Sequence, residues 1–383
     1  MNNRDRALAV LRYQPYDRLP LVHFGFLHET LELWHRQGYI TAEETNAWDE
    51  TPEEDSVAEK LGFDFGWQTM FQPSSDIFPF FERKVEATLP DGSEHVRNGH
   101  GVLHVNRPGA GSIHAEMDHL LKDRRAWEEH FKPRLQWTPD RVNRTTVRTG
   151  SGRIRFDGGG LELLASGERT RPLGLYCGSL YGLFRNWVGI EATCYMLVDD
   201  EPLFDEIINT IADLCCRNVE FALASGARFD FAHFWEDICF KNGPLVSPSV
   251  FAQKVGPHYK RITTLCRKHG IDVISLDCDG WIDALLPVWL ENGVNTMFPI
   301  ECGTWNASIA PWREKYGRGL LGVGGLNKRV FSRDKAAVDA EVERLRPLVD
   351  LGGYLPCPDH RLPEDCKFDL VRHYCDRMRG IFG

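Results

Sequence analysis

The sequence lacks the features of a membrane protein, an exported protein and a nucleic-acid-binding protein. No run of 18 apolar residues occurs in its 383 residues, so no membrane-spanning helix is expected. The N-terminal stretch MNNRDRALAVLRYQPYDRLP is typical of an amphipathic helix and a turn, without the apolar core of a secretion signal. A net charge of -10 provides no basic surface for a nucleic acid or an anionic membrane. We therefore expect a cytoplasmic protein that binds neither.

Disulfide pairing is also not indicated, although cysteine itself is plentiful. The eleven cysteines are an odd number in a long chain without an export signal, which is typical of free thiols in a reducing compartment. Hydrophobic residues make up 42% of the chain and charged residues 26%, as in ordinary globular proteins. Composition therefore predicts a protein that is stabilised by a large packed core.

A nucleotide-binding glycine fingerprint is missing too, and this bears on the fold class. Eight apolar runs alternate with helical patterns: Leu19–Phe26, Phe63–Thr69, Pro172–Gly178, Phe229–Asp237, Asp272–Gly280, Asn295–Cys302, Leu320–Asn327 and Gly353–Asp359. The clearest helical pattern is 247–269, with Ser247 as N-cap. The alternation predicts an α/β fold, and eight strands predict closure into a (β/α)8 TIM barrel. A doubly wound open sheet is the alternative, but no GxGxxG follows the first strand.

The regular spacing of these runs breaks between the second and the third strand. Residues 72–170 contain alternating stretches such as KVEATL and GVLHVN, together with many Gly and Pro residues. This pattern predicts a β-rich insertion that covers the mouth of the barrel. We expect the whole chain, 1–383, to form a single barrel domain that carries this insertion.

Two carboxylates at the end of the fifth strand are the first candidates for a site. In VISLDCDGW, Asp277 and Asp279 share one face of the strand, and Cys278 lies on the other. Like charges this close repel each other unless a cation, a proton or an arginine lies between them. The alternative is that one carboxylate caps the next helix while the other is solvated.

Other strand ends add acidic residues and a histidine. Glu301 ends the run FPIE, where it caps a helix or belongs to a site. His360 lies between prolines in LPCPDHRLP, at the rim where barrel enzymes carry their chemistry. Glu236, beside Asp237 at the end of the fourth strand, is a candidate general acid or base, or the salt-bridge partner of a nearby basic residue. We predict an active site here, with Glu236, Asp277 and His360 as catalytic residues.

Cysteines at three strand ends offer a different metal site. Cys278, Cys302 and Cys357 could supply thiolates to zinc. Alternation places Cys278 opposite Asp277, and the two faces of a strand cannot serve one pocket. The acidic face is favoured, although a bulge in the strand would reverse this choice.

Aromatic residues at strand ends are candidates for lining an apolar substrate pocket. We predict substrate-binding roles for these and for one histidine: His23, Phe26, Trp67, Trp235 and Trp281. For each aromatic residue taken alone, a place in the core is the alternative.

Several segments resemble the uroporphyrinogen decarboxylase-like superfamily: NRDRALAVLRYQPYDRLP, GSLYGLFRNW, EDICFKNGPLVSP, LDCDGWIDALLPVWLENGVNTMFPIE, GGLNKRV and YLPCPDHRLP. The resemblance covers nearly the whole chain except the insertion. It implies a barrel with one of two activities, namely porphyrinogen decarboxylation or zinc-dependent methyl exchange with a corrinoid protein.

The decarboxylase branch implies an arginine-rich N-terminal motif that holds the many carboxylates of its substrate. The corresponding stretch here is RLPLVHFGFLHETLELW, in which Arg18 alone precedes the strand. Because a polycarboxylate needs cationic partners, porphyrinogen decarboxylation is disfavoured.

The methyltransferase branch is closer. It implies zinc held by a His-x-Cys pair on the strand ending LDCDG, a Glu on the next strand and a Cys in the final loop. By position these ligands fall on Asp277, Asp279, Glu301 and His360, of which Glu301 alone matches in type. The resemblance therefore implies a divalent metal, zinc by analogy, in a harder and more Lewis-acidic ligand set than thiolates provide.

These observations lead to a functional hypothesis. We expect an O-demethylase type of methyltransferase that takes the methyl group from a methyl ether, for example a methoxylated aromatic compound. The acceptor is the cobalt of a corrinoid carried by a partner protein, and a homodimer is left open. The alternatives are a decarboxylase or lyase acting on a small or tetrapyrrole carboxylic acid, and a non-catalytic ligand-binding barrel.

Overall fold

Eight parallel strands form the centre of the molecule. The computed structural model describes residues 1–109, 114–150 and 152–383. The barrel strands are β1 (Val22–His23), β2 (Phe65–Gly66 and Met70–Phe71), β3 (Gly174–Tyr176), β4 (Phe231–Trp235), β5 (Ile274–Asp277), β6 (Thr296–Ile300), β7 (Leu321–Leu326) and β8 (Tyr354–Pro358). They lie within the runs that the sequence pattern predicts as strands, except that the second segment of β2 directly follows its run.

The order of the strands is that of a barrel. Strands β3 to β8 and the second segment of β2 form one parallel sheet in sequence order. Strand β1 pairs in parallel with the first segment of β2, with Val22 opposite Phe65. On its other side, Phe26 forms a parallel bridge with Leu362, just after β8. The N–H of Leu362 donates to the carbonyl of Gly25 at 3.1 Å. The predicted (β/α)8 fold is confirmed.

Helices connect and cover the strands: Asn3–Leu11, His28–Arg36, Pro52–Leu61, Gly182–Val188, Ile190–Asp199, Glu201–Ala224, Pro248–Lys254, Gly256–Lys268, Leu286–Glu291, Cys302–Trp305, Ile309–Tyr316, Lys335–Asp350 and Phe368–Phe382. The single helix predicted over 247–269 is in fact two helices, because Pro257 lacks the N–H that would continue the hydrogen-bond ladder. Within the described ranges, no helix is both long and apolar enough to cross a membrane.

The segment between β2 and β3 is the predicted β-rich insertion. It contains a four-stranded antiparallel sheet of Lys84–Thr88, Glu94–Arg97, Val102–Asn106 and Ala115–His119. Short helices, Arg124–Ala126, Asp140–Asn143 and Gly160–Ser166, flank a hairpin of Thr146–Thr149 and Gly152–Arg155. The hairpin is tied to the barrel by an ion pair of 2.9 Å between Arg153 and Glu50. The organisation of 1–383 as one domain remains a prediction.

Large side chains fill the barrel interior. Trp67 stacks on Phe231 with ring centroids 4.5 Å apart, and its Nε1 donates to Ser275 Oγ at 3.3 Å. The ring of Phe298 from β6 lies 6.1 Å from the ring of His233. Alternate side chains of each barrel strand face inwards. The inward side chains near the middle of a strand pack in the core, and those at its carboxyl end face the mouth of the barrel.

Candidate active site at the barrel mouth

A cavity of about 380 Å³ lies at the carboxyl ends of the barrel strands. Strands β2 to β5 line the cavity, together with the loops that follow these strands, the loop after β1 and the loop after β8. The lining residues are Phe24, Asp49, Gln68, Met70, Gln72, Tyr176, His233, Trp235, Asp237, Asp277, Asp279, His360 and Arg361. This end of a (β/α)8 barrel is where its enzymes place their active sites. The cavity is therefore the candidate active site.

Three carboxylates meet on one wall of this cavity. Each of Asp237, Asp277 and Asp279 offers an oxygen that lies within 4.8 Å of the others. The N–H of Asp279 donates to Oδ1 of Asp237 at 3.1 Å, and Gln68 Nε2 donates to Oδ2 of Asp277 at 2.7 Å. Asp237 has a left-handed backbone, with φ of 49°, which is uncommon for a residue other than glycine. We call these three residues the acid cluster.

The acid cluster is short of positive charge. Burial, followed by the charges of Asp237 and Asp279, raises the pKa of Asp277 well above its usual range. Burial and Asp279 raise the pKa of Asp237 to about 6. Oδ1 of Asp279 is buried and has no hydrogen-bond partner among the described residues. Asp277 therefore holds a proton near neutral pH unless a cation compensates the charge of the cluster.

The basic groups nearby compensate this charge only in part. Nε2 of His360 lies 3.4 Å from Oδ2 of Asp279. Arg361 also lines the cavity, but its guanidinium group donates two hydrogen bonds to the carboxylate of Asp49, at 2.9 and 2.5 Å. Burial lowers the pKa of His233 to about 3, so its imidazole is neutral, and its buried Nδ1 has no partner among the described residues.

These observations fit a divalent cation. Three converging carboxylates, one of which has a buried oxygen without a partner among the described residues, form the oxygen-rich set that hard cations prefer. The residues that would hold the ion are Asp237, Asp277 and Asp279, with His360 next to them. Within the described residues, no other group of three His, Cys, Asp or Glu side chains converges in this way.

The structure replaces one residue of the predicted metal set. Glu301 does not line the cavity. Its carboxylate accepts hydrogen bonds from the N–H of Gly280 at 2.5 Å and from the hydroxyl of Thr304 at 3.1 Å. Glu301 therefore holds the turn after β5 without capping the helix Cys302–Trp305, and Asp237 is the third carboxylate beside Asp277 and Asp279.

The predicted catalytic residue Glu236 is also outside the cavity. Its buried carboxylate accepts hydrogen bonds from the N–H groups of Leu180 at 2.8 Å, Tyr181 at 2.9 Å and Gly182 at 2.6 Å. The hydroxyl of Tyr259 also donates to it. Glu236 therefore joins the end of β4 to the loop after β3 and has no salt bridge to any described residue. Its catalytic role remains a prediction.

Alternation along β4 explains why Glu236 lies outside the cavity. His233, Trp235 and Asp237 line the cavity, whereas Glu236 lies between them in sequence and points the other way. Successive side chains of a strand point to opposite faces, so Trp235 and Glu236 cannot both face the pocket. If Trp235 faces it, the same period of two selects Asp237. Gln68 and Arg361 carried no such signal in the sequence.

Of the predicted substrate-binding residues, one lines the cavity, namely Trp235. His23, Phe26 and Trp67 are buried in the core, with exposed fractions of 1%, 2% and 1%. Trp281 is 44% exposed and lies beside Trp305, away from the mouth cavity. The core alternative therefore describes two of the four aromatic residues for which it was given, Phe26 and Trp67, and Phe24 and Tyr176 join Trp235 in the apolar wall of the cavity.

The thiolate alternative is not supported. Cys278 is buried against Cys239, outside the cavity, and burial raises the pKa of its thiol well above the usual range. Burial has the same effect on the pKa of Cys357 and on that of Cys302. Among the described residues, none of the three belongs to a group of side chains that converges as metal ligands do.

Comparisons with known proteins agree with this fold. A solved methyltransferase from Methanosarcina mazei matches over 100% of both chains, with a TM-score of 0.61 and 12% sequence identity. A B12-independent methionine synthase from Shewanella sp. W3-18-1 matches over 95% of this chain and 98% of its own, with a TM-score of 0.43 and 13% identity. No family model and no curated protein sequence matches the chain. The first likeness shows a shared fold.

Proposed function

We propose that this chain is a methyltransferase that demethylates a methyl ether, for example a methoxylated aromatic compound. The methyl group passes to the cobalt of a corrinoid carried by a partner protein. The observation that carries the proposal is the acid cluster, which can stabilise a leaving oxygen at the mouth of a barrel. The fold shared with a solved methyltransferase gives it further support.

The acid cluster suits the difficult part of this reaction. A methyl ether is inert because its alkoxide or phenolate is a poor leaving group, so negative charge that develops on oxygen must be neutralised. The raised pKa of Asp277 keeps a proton on a carboxyl group that faces the cavity. As the C–O bond breaks, that proton moves to the leaving oxygen, and Gln68 remains hydrogen-bonded to the carboxylate that forms. A divalent cation such as zinc, if held by the acid cluster, would take the place of this proton and supply Lewis acidity to the leaving oxygen instead.

The nucleophile in this proposal comes from outside the chain. Among the described residues, the cavity lining contains no cysteine, lysine or serine that could accept the methyl group. A reduced cobalt that attacks the methyl carbon meets this need, because the electron pair of the C–O bond leaves with oxygen while cobalt bonds to carbon. The partners are therefore a corrinoid protein and a small-molecule methyl donor, in the cytoplasm.

The side walls of the cavity suit an aromatic methyl ether. Phe24 lies between Phe298, at 4.4 Å, and His360, at 5.3 Å between ring centroids, so its ring is held firmly at the edge of the cavity. Trp235, at the end of β4, also lines the cavity and carries the guanidinium of Arg185 at 5.9 Å over its ring. Flat apolar walls beside an acidic floor would orient the methoxy group towards the acid cluster.

Methyl-cobalt formation tests this function. Purified protein is mixed with a reduced corrinoid protein and a panel of methyl ethers, and absorption spectra follow the appearance of methyl-Co(III). We expect enzyme-dependent methyl-Co(III) together with the free hydroxyl compound. Replacement of His360 by Ala should slow the reaction by at least about 100-fold, as expected for loss of a ligand or charge-stabilising donor. Trp281→Ala, outside the cavity, is the matched control.

Two other outcomes would replace the proposal. Release of carbon dioxide from a carboxylic acid, with no methyl-Co(III) from any methyl donor, would identify the decarboxylase or lyase alternative. Saturable binding of a compound without any turnover would identify a non-catalytic barrel.

A further inference from the structure

A second cavity, of about 470 Å³, lies beside β2 and beneath the insertion hairpin. Its walls come from four places in the chain: the helix Pro52–Leu61, the second segment of β2, the hairpin strand Thr146–Thr149 and residues 169–173 before β3. Of its lining residues, Met70 alone also lines the mouth cavity. This second cavity therefore has its own chemistry, which the proposed function does not use.

Arginines dominate the polar lining of the second cavity. Nη2 of Arg148 donates to Oδ2 of Asp55 at 2.6 Å, and Nη1 of Arg171 donates to Oδ1 of the same carboxylate. Arg169 contributes a third guanidinium group, whose Nε lies 3.2 Å from Oδ2 of Asp230. Asp55 thus holds two arginines from different parts of the chain in fixed positions at one wall.

The two arginines on Asp55 have unused binding capacity. A guanidinium group carries five N–H donors, and among the described residues Arg148 and Arg171 each use one, to Asp55. Their side chains are 30% and 38% exposed, so the remaining donors are accessible. Two positive charges against one carboxylate leave a net charge of +1. The cavity is also lined by Glu50, which pairs with Arg153, and by Arg169, which pairs with Asp230, so this local charge of +1 matches a single anionic group.

The rest of the second cavity is apolar. Phe71, Val147, Leu164 and Leu173 line it around the arginines. Two planar donor groups above an apolar floor match a carboxylate attached to a hydrocarbon body, because each guanidinium can bind a carboxylate through parallel N–H bonds while the body is removed from water. Holding the arginines in place before binding also lowers the entropy lost on binding.

We propose that the second cavity is a binding site for a small monocarboxylate with an apolar body, which Arg148 and Arg171 hold by its carboxylate. This site is independent of the acid cluster and of the reaction proposed for the mouth. It would bind an acid, whereas the mouth, with its uncompensated carboxylates, would repel one.

Isothermal titration calorimetry on the full chain tests the site, with benzoate, phenylacetate and hexanoate as probes. We expect at least one acid to bind with a stoichiometry of one, and its alcohol analogue not to bind. Arg148→Met and Arg171→Met should each weaken binding by about tenfold or more, the loss of one charge-assisted contact. Arg171→Lys should retain part of the affinity, since it keeps the charge but not the paired donors.

Matched controls show whether the acid binds at the second cavity or elsewhere on the protein. Arg346→Met, on the exposed face of the helix Lys335–Asp350, removes an arginine that among the described residues pairs only with Glu343, and it should bind the acid like the unaltered protein. Asp277→Asn, which alters the mouth, should also leave binding unchanged. If the Met variants unfold, the test rests on Arg171→Lys, which should bind the acid more weakly than the unaltered protein does. Absence of binding for all three acids, or binding that Asp277→Asn weakens and the arginine variants do not, would overturn the proposal.

Discussion

The N–H of Asp279 donates a hydrogen bond of 3.1 Å to Oδ1 of Asp237, and this bond joins the residues that follow two neighbouring strands, β4 and β5. The two side chains are thereby held close together, although both carry carboxylates. Asp237 has a left-handed backbone conformation at this point, and its side chain lines the cavity. The acid cluster is therefore formed by the fold before any ligand binds.

Metal content should depend on the acid cluster. We expect Asp237→Ala and Asp279→Ala to lower the divalent metal bound to protein purified without chelators by about tenfold or more, since each removes a carboxylate ligand. Elemental analysis measures this. Cys278→Ala and Glu301→Gln are the matched controls and should keep the metal, because neither side chain lines the cavity. Greater metal loss for Cys278→Ala would identify the thiol face as the ligand face.

Replacement of Glu236 should lower the stability of the protein and leave methyl transfer unchanged. Glu236→Ala would leave three backbone N–H groups and the Tyr259 hydroxyl without a buried acceptor. We expect it to lower the free energy of unfolding by about 3–5 kcal/mol, as for other losses of a buried hydrogen-bonded charge. Urea denaturation measures the change. Where enough folded protein remains, its methyl transfer per folded molecule should be close to normal, and loss of turnover at full stability would restore the catalytic role.

Two of the three tryptophans that the sequence predicts as substrate-binding, Trp235 and Trp281, should behave differently. Trp235 lines the cavity and Trp281 does not. Trp235→Ala should raise the KM for the methyl donor by about tenfold, equivalent to about 1.4 kcal/mol of lost aromatic contact. Trp281→Ala should leave KM within about a factor of two. Steady-state kinetics at several donor concentrations decide, and equal effects of the two changes would contradict the position of the site.

A buried carboxyl on the helix Pro52–Leu61 should make stability depend on pH. Burial, with a smaller effect of Asp49, raises the pKa of Glu54 from 4.5 to about 8, and burial lowers the pKa of the neighbouring His23 to about 3. The pair, 3.8 Å apart, is therefore neutral at pH 7 and is not a salt bridge. Because the folded state holds the Glu54 proton more tightly, its contribution to stability is complete below about pH 4.5 and is lost as pH rises through about 8.

Glu54→Gln should remove this dependence. The free energy of unfolding of the variant, relative to the unaltered protein, should rise by up to about 1.4 kcal/mol per pH unit between these two values. Urea denaturation at several pH values measures the difference. Glu59→Gln, an exposed position on the same helix, is the matched control. A difference that stays constant with pH would show that Glu54 is ionised in the folded protein.

The fold could be predicted because each barrel strand is a short buried run bounded by turn residues. Strand β6, Thr296–Ile300, is buried at every position, so its apolar run is continuous, as in parallel sheets. The insertion was recognisable by its different spacing. The break after the helix Pro248–Lys254 was missed, although Pro257 marks it in the sequence.

The site was predictable only where a local rule applied. Alternation places Asp277 and Asp279 together, and their position at a barrel rim is confirmed by the cavity they line. The same rule, not applied to β4, would have selected Asp237. No local rule shows that Glu301 accepts a hydrogen bond from Gly280, or that Phe26 and Trp67 point into the core. Both findings depend on the direction of a side chain relative to residues far away in the sequence.

The acid cluster lowers the stability of the folded state, although the proposed chemistry depends on it. Asn at position 237 or 277 would relieve the repulsion between buried carboxylates, so it would favour the folded state while removing the chemistry. A population of variants selected for heat resistance alone would therefore collect neutral residues at the mouth. Once selection for turnover ended, these aspartates would be among the first positions in the chain to drift.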